Sequence, residues 1–169
     1  MFEINGNLAE IEKYKVFKLT LNHVYSRFYN AFGSELMSKQ KFYVDNCTAN
    51  CGHTPIITKV LKEFLIIKLG IDDFGNVAQT IFQFSHELTH FVFFCIKGLD
   101  KKHADDEEEK ACTAMSLIML KTFCDEETFS SYCEYVKKRE YVGYREGYDL
   151  ALSMEFSEEK IVKYILNKN

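Results

Sequence analysis

Proline is nearly absent from this sequence, with one residue in 169, and long apolar runs are absent too. A hydrophobic content of 47% with so little proline excludes a disordered chain and predicts a compact globule. A chain of this length buries about 70% of its unfolded surface, so we expect one domain over residues 1–169. No apolar run reaches the roughly 18 residues that a membrane-spanning helix needs, so we expect no membrane partner.

The sequence also lacks an excess of basic charge, with 21 Lys and Arg against 25 Asp and Glu. The net charge of −4 and the dispersed cations predict no nucleic-acid partner. Residues 1–33 lack the charged start and uninterrupted apolar core of a signal peptide. Nothing therefore points to secretion, and we expect a cytoplasmic protein with reduced cysteines, among them Cys95 and Cys112 as buried helix residues.

Residues 84–91 stand out against this background because they hold a His-Glu-x-x-His motif in a strongly apolar stretch. Residues four apart lie on one face of a helix, so His86 and His90 can present two imidazoles to one metal ion. Glu87 lies next to the first imidazole and can reach a water on that metal. Zinc fits best, because it accepts imidazole and carboxylate and keeps one position open.

A catalytic zinc needs a third protein ligand, and a following acidic helix offers candidates. Glu107, Glu108 and Glu109 open an apolar helix at a suitable distance from the motif. We prefer Glu109, because it leads at helical spacing into the apolar stripe of that helix, and place Glu108 second. Weaker candidates come from the preceding loop: His103, Asp105 and Asp106.

The periodicity of apolar residues predicts an α+β fold, mainly helical, with a small antiparallel sheet. Gly98 is expected to end the motif helix, whereas Gly143 and Gly147 are expected to loosen the stretch that follows residue 141. His23 is read as a surface or packing residue. The predicted elements are a helix at 7–33, a strand at 41–46, strands within 54–69 with a turn at Lys62 and Glu63 (residues 59–62 being helical in an alternative interpretation), and helices at 76–97, 105–123, 125–141 and 157–166.

The motif and the acidic helix together resemble a known group of enzymes. His86-Glu87-Leu88-Thr89-His90 followed by Glu109-x-Ala111-x-x-Ala114-x-x-Leu117-Ile118-Met119 looks like the gluzincin class of zinc metallopeptidases. More closely, it resembles the small ImmA/IrrE-type peptidases of bacteria and phages. The resemblance covers about residues 76–120. Thr113 and Leu120 depart from the family pattern, and no helix-turn-helix domain is attached, so the physiological role of those relatives does not transfer.

The resemblance implies a zinc peptidase with one Zn²⁺ ion. His86, His90 and Glu109 would be the ligands, and Glu87 the general base that takes a proton from water and passes it to the leaving amine. The substrate would be a protein or peptide lying along the edge strand of a sheet packed on the motif helix. Tyrosine candidates for oxyanion stabilisation are Tyr141, Tyr144 and Tyr148, and acceptors for the far histidine nitrogens are Thr113 and Asp149.

Two other interpretations remain open at this point. One is a zinc-binding regulatory, immunity or phage interaction protein without peptidase turnover, and the other is a structural domain without metal. Cys47, Cys51 and His53 offer ligands for a second zinc, although the usual Cys-x₂-Cys knuckle is missing and a turn explains the pattern better.

Overall fold

The computed structural model describes residues 3–4, 12–47, 54–61, 63–101 and 103–167. Within them the chain forms a mainly helical α+β domain, as the sequence predicted. The strands are β1 (Glu3–Ile4), β2 (Phe42–Asn46), β3 (Ile56–Val60) and β4 (Phe64–Leu69). The helices are α1 (Glu12–Phe32), α2 (Ser34–Met37), α3 (Val77–Lys97), α4 (Asp106–Phe123), α5 (Glu126–Lys137), α6 (Val142–Ser153) and α7 (Glu158–Leu166).

The four described strands form one sheet in the order β1-β2-β4-β3. The predicted antiparallel pairing holds only for the β3–β4 hairpin, and the sheet as a whole is mixed. β1 and β2 are parallel because helix α1 connects them, which is the crossover that parallel strands require. The chain then passes to the edge as β3 and returns as β4, which runs parallel to β2.

Helix α3 carries the motif and lies at the centre of the domain, in contact with α1, α4 and β4. Its bounds agree with the prediction. The Asn76 side chain accepts a hydrogen bond from the Gln79 N–H at the start, and Gly98 adopts a φ of 84° at the end. Every residue from 80 to 95 is buried, so any polar group on this helix must find partners inside the protein.

The remaining helices surround this centre. Helix α1 buries one apolar face and leaves His23 exposed, as expected for a surface histidine. Helix α4 is capped by Asp105, whose side chain accepts from the Glu108 N–H, and its residues 111–120 are buried without interruption. None of the described helices is both long enough and apolar enough to cross a membrane.

The expectation for Gly143 and Gly147 was wrong, because both residues lie inside helix α6. Their missing side chains let α6 approach α4 closely. A Cβ at Gly147 would lie 2.5 Å from Thr113 Cβ and 2.9 Å from the Lys110 carbonyl oxygen. Glycine costs local helix stability, but here it permits a close helix–helix contact that any side chain would prevent.

Candidate metal centre

The two motif histidines lie one turn apart on the face of α3 that meets α4. His86 is 8% exposed and His90 is 6% exposed, and their ring centroids are 5.0 Å apart. Imidazoles this deeply buried must hydrogen-bond or coordinate a metal to offset the loss of water. The partners available to their ring nitrogens therefore decide what the site can do.

Glu109 of α4 reaches both histidines at once. Its Oε2 atom lies 3.3 Å from His86 Nε2, and its Oε1 atom lies 3.5 Å from His90 Nε2. The corners of a tetrahedron with bonds of about 2.0–2.1 Å lie about 3.3–3.4 Å apart. Each of the two contacts, which involve different oxygens of Glu109, is close to that separation. Glu109 therefore lies beside both histidines, where the sequence predicted the third ligand.

Glu108, the second choice for a ligand, lies on the other side of His90. Its Oε1 atom is 2.6 Å from His90 Nδ1, and the residue is 2% exposed. The Lys101 ammonium lies 2.8 Å from the same oxygen and the Lys97 ammonium 3.8 Å from Oε2. With its far nitrogen held by a carboxylate, His90 keeps the Nε2 lone pair directed towards Glu109 and His86.

The acceptors named from the sequence do not take this position. Thr113 is buried, and its hydroxyl oxygen has no hydrogen-bond partner among the described residues. Asp149 is exposed on α6. Glu108 takes this role for His90, because its place in the first turn of α4 brings it against the motif helix.

Cys112 is the residue of the site that sequence reasoning missed. It is fully buried on α4, and one donor atom each of His86, His90 and Cys112 lies within 4.8 Å of the others. This group can hold a metal ion. The sequence did carry the signal, since Cys112 lies three and four residues after Glu109 and Glu108 and thus on the same side of the helix.

Glu87 is buried beside this group, at 3% exposure. Burial raises the pKa of its carboxyl and the Glu109 charge adds to the rise, while the two histidines and a hydrogen bond from the Ile57 backbone oppose it. A carboxyl with a raised pKa holds a proton more readily than an exposed glutamate does. In its ionised form Glu87 is therefore a stronger proton acceptor than an exposed glutamate.

The neighbouring groups have pKa values shifted by one another. Burial lowers the pKa of His90, but the hydrogen bond to Glu108 and the charges of the surrounding carboxylates outweigh it and raise the pKa. Burial raises the pKa of Glu109, but hydrogen bonds and charges from the two histidines outweigh it and lower the pKa. Burial raises the pKa of the Cys112 thiol well above its ordinary value, and nearby carboxylates add to this.

The other acidic candidates lie away from the histidines. Glu107 forms an ion pair with Lys110 and accepts a hydrogen bond from the Tyr164 hydroxyl at 2.8 Å. Asp105 caps α4, and Asp106 is exposed. For the second zinc site, Cys51 and His53 lie outside the described residues, and Cys47 is half-buried with a free thiol.

Two of the three candidate tyrosines line the same cleft as the histidines. Tyr141 hydrogen-bonds to Glu109, and burial together with that carboxylate raises the pKa of its phenol to about 12. Tyr144 is half-buried, with its ring 5.4 Å from that of Tyr141. Tyr148 does not line this cleft; the Lys137 ammonium lies over its ring at 4.4 Å.

The metal centre opens into a cleft of about 1840 Å³ between strand β3 and the turn that joins α5 to α6. Pockets for small ligands typically enclose about 300–1,000 Å³, so this cleft has room for a longer molecule. Residues 54–59 line the cleft, and they include strand β3 up to Lys59. Tyr135 and residues 138–141 face them across the histidines.

No family model, curated protein or solved structure matches this chain. The resemblance to zinc peptidases therefore stays a prediction made from the motif, and the function has to be argued from the geometry and charges of the site.

Proposed function

We propose that this protein is a zinc-dependent peptidase that cleaves a polypeptide bound in the cleft beside α3. The observation that carries the proposal is the position of Glu109, whose two oxygens lie 3.3 and 3.5 Å from the Nε2 atoms of His86 and His90. Two imidazoles and a carboxylate are the ligand set of a catalytic zinc that keeps one position open.

The chemistry of the donors supports zinc over a harder cation. Magnesium and calcium prefer oxygen ligands, whereas imidazole nitrogen suits zinc. Glu108 supports the same assignment, because its bond to His90 Nδ1 keeps Nε2 available as a donor. When bound, zinc would polarise the carbonyl of the peptide bond and acidify a water molecule.

Glu87 handles the proton in this proposal. It lies one residue after His86 on the buried face, and its raised pKa makes its carboxylate a stronger base than that of an exposed glutamate. After bond cleavage the same carboxyl returns the proton to the leaving amine. Tyr141 and Tyr144 are the hydroxyl donors for the charged carbonyl oxygen, since both line the cleft and Tyr148 does not.

Strand β3 supports the choice of a polypeptide as substrate. It pairs only with β4 among the described strands, so its other backbone edge faces the cleft. The Ile57 backbone hydrogen-bonds to Glu87, which places that edge beside the catalytic carboxyl. An extended peptide can add to such an edge as a further strand, with its backbone held close to Glu87.

Cys112 favours a second candidate function. If its thiolate joined His86, His90 and Glu109, the metal would have four protein ligands, which is typical of a structural zinc site. The protein would then be a zinc-binding regulatory or interaction protein without turnover. The two candidates differ in whether one metal position remains open.

The Glu87→Gln variant tests the proposed function. Wild-type protein and variant, purified without chelator and without metal-affinity resin, should each contain one zinc per chain by metal analysis. Only the wild type should cleave a randomised peptide library followed by mass spectrometry. Glu107→Gln, an exposed glutamate on α4, is the matched control and should cleave normally. Cleavage by the Glu87 variant at the wild-type rate would contradict the role of Glu87 as general base. A wild-type protein that contains zinc and cleaves no peptide would favour the second candidate.

A further inference from the structure

The cleft carries a charge opposite to that of the protein as a whole. The chain has a net charge of −4. Outside the metal centre and the buried Lys101–Glu108 pair, the charged side chains that line the described cleft are Lys59, Lys138 and Arg139 against Glu140 alone. We call the three cations the basic rim. A cleft lined mainly by one sign of charge concentrates ligands of the opposite sign.

Arg139 is close in sequence to a residue that contacts the metal centre. It lies in the turn between α5 and α6, two residues before Tyr141, whose hydroxyl bonds to Glu109. Its guanidinium carbon lies 4.3 Å from the centre of the Tyr135 ring, and its Nη2 donates to the Tyr135 hydroxyl at 2.6 Å. The aromatic ring thus fixes the cation within the cleft wall.

The Arg139 guanidinium has further N–H groups with which it can bind a ligand. One of its five N–H groups bonds to Tyr135, and no acidic residue in the described part of the chain pairs with it. Aromatic rings connect it to the motif helix, since Tyr135 lies 6.5 Å from Tyr144 and Tyr144 lies 6.2 Å from Phe82. Phe82 is one turn before His86 on α3.

The other two cations extend the same charge across the opening. The Lys59 ammonium on β3 donates to the Leu99 carbonyl at 2.7 Å and pairs with no carboxylate within the described ranges. Lys138 follows α5 directly and forms no ion pair among the described residues. A peptide bound along β3 would share the cleft with Lys59, Lys138 and Arg139.

From these contacts we infer that the cleft selects acidic polypeptide segments, with Arg139 binding an Asp or Glu side chain next to the cleaved bond. This inference rests on the proposed peptidase function of the same cleft. A planar guanidinium held beside a ring can present its remaining N–H groups to a carboxylate in the two-point geometry that lysine cannot reproduce. Replacing the acid of a substrate by its amide should then reduce binding.

The experiment uses two fluorescent pools of randomised peptides that differ only in having Glu and Asp in one and Gln and Asn in the other. The acidic pool should bind the zinc-loaded Glu87→Gln protein about fivefold more tightly than the amide pool, as expected for a partly exposed charged hydrogen bond. The wild-type protein should show the same preference in kcat/KM, and the difference should lie in KM. Raising the salt concentration should reduce the preference for the acidic pool.

Variants locate the preference at Arg139. Arg139→Met should remove most of the preference for the acidic pool, and Arg139→Lys should restore part of it. Lys18→Met, an equal charge change on the exposed face of α1, should leave the preference intact.

Equal binding of both pools, no binding of either pool, or an equal loss in the Lys18 variant would overturn the inference. Cleavage without an acidic preference would sink only the inference. Acidic binding by a wild-type protein that cleaves nothing would sink only the proposed peptidase.

Discussion

His90 and Glu108 are joined by a hydrogen bond of 2.6 Å between Nδ1 and Oε1, and both side chains are almost completely buried. Lys101 lies 2.8 Å from the same carboxylate oxygen and balances its charge. The bond does two things at once: it prevents His90 from rotating and keeps Nε2 free on the side of Glu109. A carboxylate behind a metal-binding histidine also makes the imidazole a better donor.

Replacing this carboxylate should weaken metal binding without removing any ligand. We expect Glu108→Gln to reduce zinc affinity about 10–100-fold, the usual cost of losing such a partner. Competition with a chromogenic chelator measures the affinity directly. Glu107→Gln makes the same carboxylate-to-amide change at the neighbouring, exposed glutamate and should leave the zinc affinity unchanged. Equal affinities of the Glu108 variant and the wild type would contradict the role given to this bond.

The sequence was most informative where local chemistry decides the outcome. The bounds of the motif helix follow from the Asn76 cap and from the positive φ of Gly98, both of which act on neighbouring residues only. The face shared by His86 and His90 follows from helical periodicity alone. These features need no knowledge of how the chain packs, so the amino-acid order was sufficient.

Sequence reasoning failed where packing between helices decides. Glu108 and Glu109 are about 100° apart around α4, so which of them meets Nε2 depends on how α4 lies against α3. The position of Cys112 depends on the same contact. Gly147 was predicted to loosen the chain because glycine has a low helix propensity. In the structure it lies inside α6, where the missing side chain lets the helix approach Thr113 closely. The parallel β1–β2 pair involves two residues per strand, too few for any periodic signal.

The contact at Gly147 predicts a loss of stability on adding a single methyl group. Gly147→Ala would place a Cβ 2.5 Å from Thr113 Cβ and 2.9 Å from the backbone oxygen of Lys110. Because backbone cannot move aside cheaply, we expect a loss of about 1–3 kcal/mol in the free energy of unfolding despite the better helix propensity of alanine. Denaturant titration gives the value.

Gly143→Ala is the matched control for this prediction. Its new Cβ would meet the Tyr141 ring at 2.8 Å and Glu109 Cβ at 3.2 Å, both side-chain atoms. The half-exposed Tyr141 ring can shift at the cost of its hydrogen bond to Glu109, whereas the backbone oxygen that Gly147 would meet cannot. The loss should therefore be smaller than at Gly147, and the helix-propensity gain of roughly 1 kcal/mol should offset part of it. A larger loss at Gly143 than at Gly147 would show that α6 does not pack on α4 as described.

The choice between Glu109 and Cys112 as the third ligand can be made by removing each. We expect Glu109→Ala to lose zinc, because its carboxylate lies 3.3 and 3.5 Å from the two imidazoles. Cys112→Ala should retain one zinc per chain and retain hydrolysis. Cobalt substitution adds an independent reading, since thiolate coordination gives a strong charge-transfer band that nitrogen and oxygen ligands do not. Zinc loss in the Cys112 variant, or that band in the wild type, would favour the closed site.

The raised pKa of His90 predicts how zinc affinity depends on pH. Zinc binds imidazole only after the proton on Nε2 has left, so a protonated His90 competes with the metal. Below the pKa of His90, zinc must displace one proton from the imidazole, so the zinc affinity should fall about tenfold for each pH unit. Because Glu108 and the nearby carboxylates raise that pKa, this dependence should extend above the ordinary histidine value of about 6.5. The lowered pKa of Glu109 keeps its carboxylate ionised across the same range.

The Glu108→Gln variant separates this effect from general ligand competition. Removing the hydrogen-bonded carboxylate removes the main cause that raises the pKa of His90, so the pH-dependent window should move to lower pH while the affinity falls. Chelator competition across a pH series locates the window, and calorimetry in two buffers of different ionisation enthalpy counts the protons released. A window at the same pH in both proteins would show that Glu108 does not control the charge of His90. A zinc affinity that does not change with pH down to the ordinary histidine range would show that the pKa of His90 is not raised.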